Sequence, residues 1–303
     1  GTADWANAKL YAKKVIDSPY KLYTTKKGQW SAYQQLFMGD NGENGASVEA
    51  IFPILQDGLK TTSYGTTLYL MAGSNDNSEH IKSATIAGNS TTGGWAGNRM
   101  RPDLVLKFFP NNDAPNVAAY AMPAAADDDR ALFDGEGRNV SNGDDEKGVK
   151  VFTNGFSVCK FNNFKTDGSA GHNSLFPDAD FFLMRAAEAY LMYAEADARQ
   201  NNGTTTAQGT AYINALRTRA NAATQTAYSL RQICDEWSRE FYFEGLRRTT
   251  LIRFGYFGGN VNYNWSWKGG VKSGRNFDSH LNLFPIPTSD MVANSNLIQN
   301  TGY

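Results

Sequence analysis

The chain is poor in the residues that usually announce chemistry. Cysteine occurs twice in 303 residues, at Cys159 and Cys234. Two distant cysteines make no disulfide framework, and each reads as a small buried hydrophobe. Histidine occurs three times, at His80, His172 and His280, without metal-ligand spacing. The 29 Lys and Arg nearly cancel the 30 Asp and Glu, leaving a net charge of −1. That balance removes the electrostatic case for nucleic acid or an anionic membrane surface. No apolar run approaches the length of a transmembrane helix. There is no Gly-x-Ser-x-Gly elbow, no P-loop and no Glu-x-x-His pair of the kind that di-metal bundles use. Acidic residues are frequent, but no flanking motif singles out a carboxylate pair for glycoside hydrolysis. The expectation is a protein that is not an enzyme.

What is present is aromatic surface and a helical frame. Aromatics make up 13% of the chain, and glycine occurs 29 times. Trp5, Ala8, Tyr11, Ala12, Val15 and Ile16 recur at three- and four-residue steps. They predict a helix capped by Thr2 or Asp4 and stopped at Ser18-Pro19. Its apolar stripe needs a partner. Residues 19–178 differ: Gly, Asn, Ser, Thr and Asp dominate, with short apolar runs at Ala50–Leu55 and Leu68–Ala72. Loops, short strands and short helices are expected there, including a helix after Pro102. Asp127-Asp128-Asp129-Arg130 and Asn142-Gly143-Asp144-Asp145-Glu146 read as exposed turns. From 179 to 257 helices return. Asp178 or Asp180 is expected to cap a helix to about Gln200, with Leu183 on its apolar face. A second helix follows over Ala207–Asn221, pairing with the first as a hairpin. Ser229-Leu230-Arg231-Gln232 is a capping box opening a third. From 258 onward a Gly/Asn/Trp loop leads to extended Pro285-Ile286-Pro287 and a short turn at Ser289–Ala293.

The third helix is read as continuous from Glu236 to Arg248. Glu236, Glu240 and Glu244 then share one face, within reach of Arg239, Arg247, Arg248 and Arg253. Buried carboxylates need matched charge, so the expectation is a structural Glu/Arg lattice, with Arg185, Glu188, Glu195, Arg217 and Arg219 tying adjacent helices into it.

The aromatics of the irregular region are the candidate ligand site. Sugars offer flat C–H faces to rings and hydroxyls to amides and guanidinium groups. Gly93-Gly94-Trp95-Ala96-Gly97-Asn98-Arg99 combines an indole left uncovered by glycines with two hydrogen-bonding side chains. Tyr64 and Tyr69, flanked by Gly65 and Gly73, are a second wall. Trp95, Tyr69 and Tyr64 are thus the expected stacking residues, with Asn98 and Arg99 as hydrogen-bond donors. The structural alternative for Trp95 is a core anchor. Trp265 and Trp267 read as a packing element. Asp40-Asn41-Gly42-Glu43-Asn44 resembles part of a calcium loop but lacks the alternating ligands. A turn is expected, with no cofactor beyond an optional structural calcium ion.

Arg185-Ala186-Ala187-Glu188 through Ala196, Asn214–Ala220, Arg239-Glu240-Phe241, Glu244-Gly245-Leu246-Arg247, Leu251–Gly255, Leu283-Phe284-Pro285-Ile286-Pro287 and Asn294–Tyr303 together resemble the C-terminal region of the SusD/RagB family. Phe37, Asp40-Asn41 and Glu49–Phe52 agree more weakly. Trp237, Leu246, Ser295 and Thr301 depart from the usual Arg, His, Pro and Pro. The resemblance implies a mostly α fold of tetratricopeptide-like helical hairpins, a SusD-like α/α superhelix with a large loop-rich region and few short strands. It implies one N-terminally truncated domain over residues 1–303. Within it lie an orphan helix (1–18), a loop-rich ligand-binding region (19–178), the helical hairpin and third helix (179–257) and a wrapping tail (258–303). It implies capture of an oligo- or polysaccharide for a SusC-like TonB-dependent porin at the outer face of the outer membrane. The family's lipid anchor and the N-terminal part of the polypeptide would lie outside this chain. A peptide ligand, or a helical scaffold without a sugar ligand, is the alternative.

Overall fold

A computed structural model describes residues 2–91, 94–140, 151–259 and 263–303. The Asn142–Glu146 turn and Gly93 lie outside them. The chain divides into two compact units, Gly1–Glu244 and Gly245–Tyr303.

The first unit is mostly helical. α1 (Trp5–Ile16) starts at Asp4, whose carboxylate accepts the Asn7 N–H at 3.0 Å. It packs along α6 (Ala186–Gln200), with Lys9 paired to Asp197 at 2.5 Å and the Arg199 guanidinium 4.3 Å from the Trp5 ring centre. α6 also packs on α7 (Ala207–Arg219) and α8 (Leu230–Phe241). α8 opens with the expected Ser229/Gln232 capping box.

Short elements fill the irregular region: α2 (Ala32–Gln35), β1 (Ala50–Ile54), α3 (Thr66–Ser74), β2 (Arg99–Met100), α4 (Pro102–Phe108), α5 (Met122–Ala125), β3 (Phe133–Asp134), β4 (Phe156–Val158) and β5 (Phe181–Arg185). α4 begins at Pro102 as expected. β4 is the middle of a three-stranded antiparallel sheet in the order β2-β4-β3. Phe108, Met122, Phe133, Phe156 and Tyr242 pack around this sheet as one core, and Tyr33, Leu36, Phe37, Met71 and Phe161 form another.

Residues 181–185 are a strand rather than the first turn of α6. Phe181–Arg185 pairs antiparallel with β1, with Ala50 opposite Arg185. Asp178 and Asp180 consequently do not cap α6. Their carboxylates accept the N–H groups of Gly58 and Gln56, both at 2.7 Å. Leu183, expected on the apolar helix face, is exposed.

The Glu236–Arg248 helix is broken. α8 ends at Phe241; Tyr242 turns extended, and Phe243 and Gly245 take positive φ angles of 62° and 80°. The cause is the density of donors at this end. The Glu240 carbonyl accepts Lys160 Nζ at 3.2 Å, Arg185 Nη2 at 2.9 Å and the Tyr33 hydroxyl at 2.5 Å. Cations and hydroxyls thereby satisfy a carbonyl that has lost its helical partner.

The Glu/Arg lattice is present with a different membership. Arg130 reaches Glu236 at 2.7 Å, and Arg185 reaches Glu240 and Glu244 at 2.7 Å and Glu49 at 2.8 Å. Arg219 pairs with Glu49 and Glu240, and Arg217 with Glu236. Asp128 and Arg130, expected on an exposed turn, are buried, because Arg130 is one of the cations that match these carboxylates. Burial alone would raise the Glu236 pKa; Arg130, Arg239 and Arg217 outweigh it and hold that carboxyl at about 2. Burial lowers Lys160 to about 8 against the pull of Glu244.

In the second unit, α9 (Arg247–Arg253) and α10 (Thr288–Ala293) flank an aromatic cluster in which Trp265 lies 6.0 Å from Phe277 and Tyr256 stacks on Tyr263. Arg247 and Arg248 bond within this unit, to the Tyr263 hydroxyl and the Leu281 carbonyl. Among the described residues no helix is long and apolar enough to cross a membrane.

Candidate functional site

The site begins with the end of a helix. α3 ends at Ser74, and its last carbonyls need donors from outside the helix. The loop at 94–98 provides them: the Trp95 N–H bonds the Ala72 carbonyl, the Asn98 N–H bonds that of Gly73, and the Ala96 N–H bonds that of Asn75 at 3.2 Å. The loop can come this close because residue 94 is glycine. A Cβ there would overlap the Asn75 carbonyl and stand 2.8 Å from Asp76 Cα. Gly73 is similarly restricted, its missing Cβ lying 2.8 Å from Asn98 Nδ2.

Docking the loop on this helix end places Trp95 beside Tyr69, a residue of α3. The ring centres are 6.2 Å apart and the planes cross at 69°. Trp95 is 53% exposed and Tyr69 55% exposed, so the pair forms an open corner of two ring faces. Asn98 is exposed at the foot of the loop.

The other expected residues are placed differently. Arg99 opens β2, and its guanidinium donates to the Val151 carbonyl and, at 3.0 Å, to that of Asn154, over the Phe152 ring. Tyr64 is 60% exposed and meets Phe176, not Trp95, edge-on at 5.3 Å. Phe176 carried no signal in the sequence, because only the tertiary fold brings it to Tyr64.

The side chains of the Asp40–Asn44 segment hold the fold together. Asp40 accepts from Thr166 Oγ1 at 2.6 Å, Asn41 exchanges hydrogen bonds with the Asp180 backbone, and Asn44 Oδ1 accepts the Ala46 N–H. Elsewhere, Asp57, His172 and Asp178 bring one potential ligand atom each within 4.8 Å of one another. Asp178 already accepts N–H groups from Gly58 and His172, both at 2.7 Å.

Comparison with known proteins bears on the whole chain. The model of the SusD family matches residues 133–303. The starch-binding protein SusD of Bacteroides thetaiotaomicron is 39% identical over an alignment covering 100% of this chain and 57% of that protein. The chain thus spans somewhat more than half the length of that relative. Among solved structures, surface glycan-binding protein A from Bacteroides uniformis superposes with a TM-score of 0.59 at 20% identity, covering 98% of this chain and 56% of that one. Its namesake from Bacteroides thetaiotaomicron, in complex with laminarihexaose, gives 0.57 at 20% identity, covering 98% and 59%. With more than half of its residues matched by the family model and a relative of this identity along its full length, the chain belongs to the SusD family.

Proposed function

We propose that this protein captures an oligo- or polysaccharide at the cell surface, without altering it, for a SusC-like TonB-dependent transporter. The observation that carries the reading is the open Tyr69/Trp95 corner held on a braced loop. Two exposed ring faces stack on sugar C–H faces, and Asn98 supplies an amide to hydroxyls. Arg99 lies next in sequence and contributes to the rim, while Tyr64 with Phe176 extends the apolar surface. The names of relatives point the same way: one is starch-binding, another is seen with laminarihexaose.

The corner also favours a ligand shape. Ring planes crossing at 69° cannot both lie on one flat ribbon. They suit a chain that turns, such as an α-glucan or a β-1,3-glucan. Stacking is worth ~1–3 kcal/mol per ring, by analogy with nucleic-acid bases. Two rings and a few hydrogen bonds give about −4 to −6 kcal/mol, or roughly millimolar to tens-of-micromolar Kd, weak enough for a protein that hands its ligand on. The reading needs no cofactor and no carboxylate pair.

Affinity electrophoresis in gels cast with starch, laminarin or a flat β-1,4-glucan tests it. Retardation by a turning glycan, lost in Trp95→Ala, is expected, with no reducing ends released. Retardation by no glycan overturns it.

A further inference from the structure

The Trp95 loop rests on the backbone of Asn75 and Asp76, and that backbone is itself held by a buried carboxylate. Glu79 is almost fully enclosed. Its two oxygens accept the Asp76 N–H at 3.0 and 3.2 Å. One of them also accepts the Ser157 hydroxyl at 2.8 Å and Arg138 Nη2 at 3.2 Å. Ser157 is the central residue of β4, the middle strand of its sheet, and its hydroxyl also lies 2.9 Å from the Ser74 carbonyl at the end of α3. The Glu79 carbonyl accepts the N–H groups of Ile81 and Gly88, at 3.0 and 2.5 Å, so the residue is fixed from both sides. The charged groups facing its carboxylate are Arg138 and Asp76, the latter 3.9 Å from the same guanidinium.

We infer that Glu79 is a positioning residue for the Trp95 shelf. The rigid sheet holds Ser157, Ser157 and Arg138 hold Glu79, Glu79 fixes Asp76, and the Asn75–Asp76 backbone seats Gly94 and hence Trp95. A carboxylate suits the post because it accepts three different donors at once, which neither a hydroxyl nor a single amide oxygen does so well. Its burial raises its pKa, a cost that a purely space-filling residue would not carry. The ligand consequence rests on the glycan reading above; the geometric consequence does not.

The test uses the whole chain labelled with 5-fluorotryptophan. The sequence has six Trp, and the Trp95 line is the one lost in Trp95→Phe. Glu79→Ala is expected to shift or broaden that line, leave the other lines in place and weaken binding of maltoheptaose or laminarihexaose about fivefold. Glu79→Gln, which keeps one acceptor oxygen, is expected to fall between. An unmoved Trp95 line in folded Glu79→Ala overturns the inference, as does an equal shift of every line. Should Glu79→Ala not fold, Ser157→Ala is read by the same criteria. If the Trp95 line responds while the unmutated protein binds no glycan, the positioning role stands and the glycan reading fails.

Discussion

Tyr69 and Trp95 meet because the loop carrying the indole closes the helix carrying the phenol. The Trp95 N–H bonds the Ala72 carbonyl, less than one turn beyond Tyr69 on α3. The capping that satisfies the helix also sets the geometry of the exposed rings, so stability and ligand shape are tied at this point. The rings themselves stand outside that arrangement and can be removed without disturbing it.

Trp95→Ala should therefore weaken glycan binding by about fivefold to a hundredfold, the loss of ~1–3 kcal/mol of stacking. Tyr69→Ala should act in the same direction. Neither should shift the urea midpoint appreciably, because both side chains are about half exposed. Isothermal titration with a starch or laminarin oligosaccharide, beside urea unfolding, separates the two quantities.

Gly94→Ala should weaken binding although it touches no ring. The added methyl has no room against the Asn75 carbonyl, so the loop must lift from the end of α3. The measurement is the same titration, with a thermal scan expected to show a modest fall in Tm.

Glu240→Ala should be among the most damaging single changes. It leaves Arg185, Arg219 and Arg130 buried with one acceptor fewer. Breaking a buried ion pair from one side costs about 3–5 kcal/mol. Urea unfolding followed by circular dichroism gives the value.

Acid should unfold the first unit through the same carboxylates. Glu236 titrates at about 2 when folded, against an ordinary 4.5. Glu240 is also depressed: burial opposes its ionisation, and Arg219, Arg185 and Arg130 outweigh it. A folded-state pKa below the unfolded value means that the unfolded chain binds the proton first. The stabilisation is thus complete above about pH 4.5 and is lost as pH falls toward about 2. Urea midpoints should hold near neutrality and drop steeply between those values; a flat profile would contradict the lattice.

Both cysteines should resist thiol reagents until the chain unfolds. Cys159 and Cys234 are buried, and burial pushes the Cys159 thiol well above its usual pKa. Reaction with Ellman's reagent in buffer and in denaturant distinguishes the states.

Much of this protein was legible because the signals were local. Asp4 caps α1 and Ser229 with Gln232 opens α8 through bonds within one turn, while Pro102 opens α4 through its fixed φ. Trp95 among glycines read as uncovered for the same reason: neighbours in sequence set how much of a loop side chain is shielded. The chain's own residues also required that the Glu-rich α8 face be matched by cations.

Which cations would match it, and where the helix would stop, only the tertiary structure decided. Arg130 and Lys160 reach the carboxylates from segments remote in sequence, and donors from Lys160, Arg185 and Tyr33 on the Glu240 carbonyl end α8 before Glu244. Phe181–Arg185 has helix-compatible residues but becomes a strand because β1 offers a backbone partner. Tyr69 rather than Tyr64 joins Trp95, since helix capping and glycine-permitted contact depend on groups brought together by folding. Sequence spacing fixes neighbours along one element; distances between elements follow from how all of them bury their surfaces and polar groups at once.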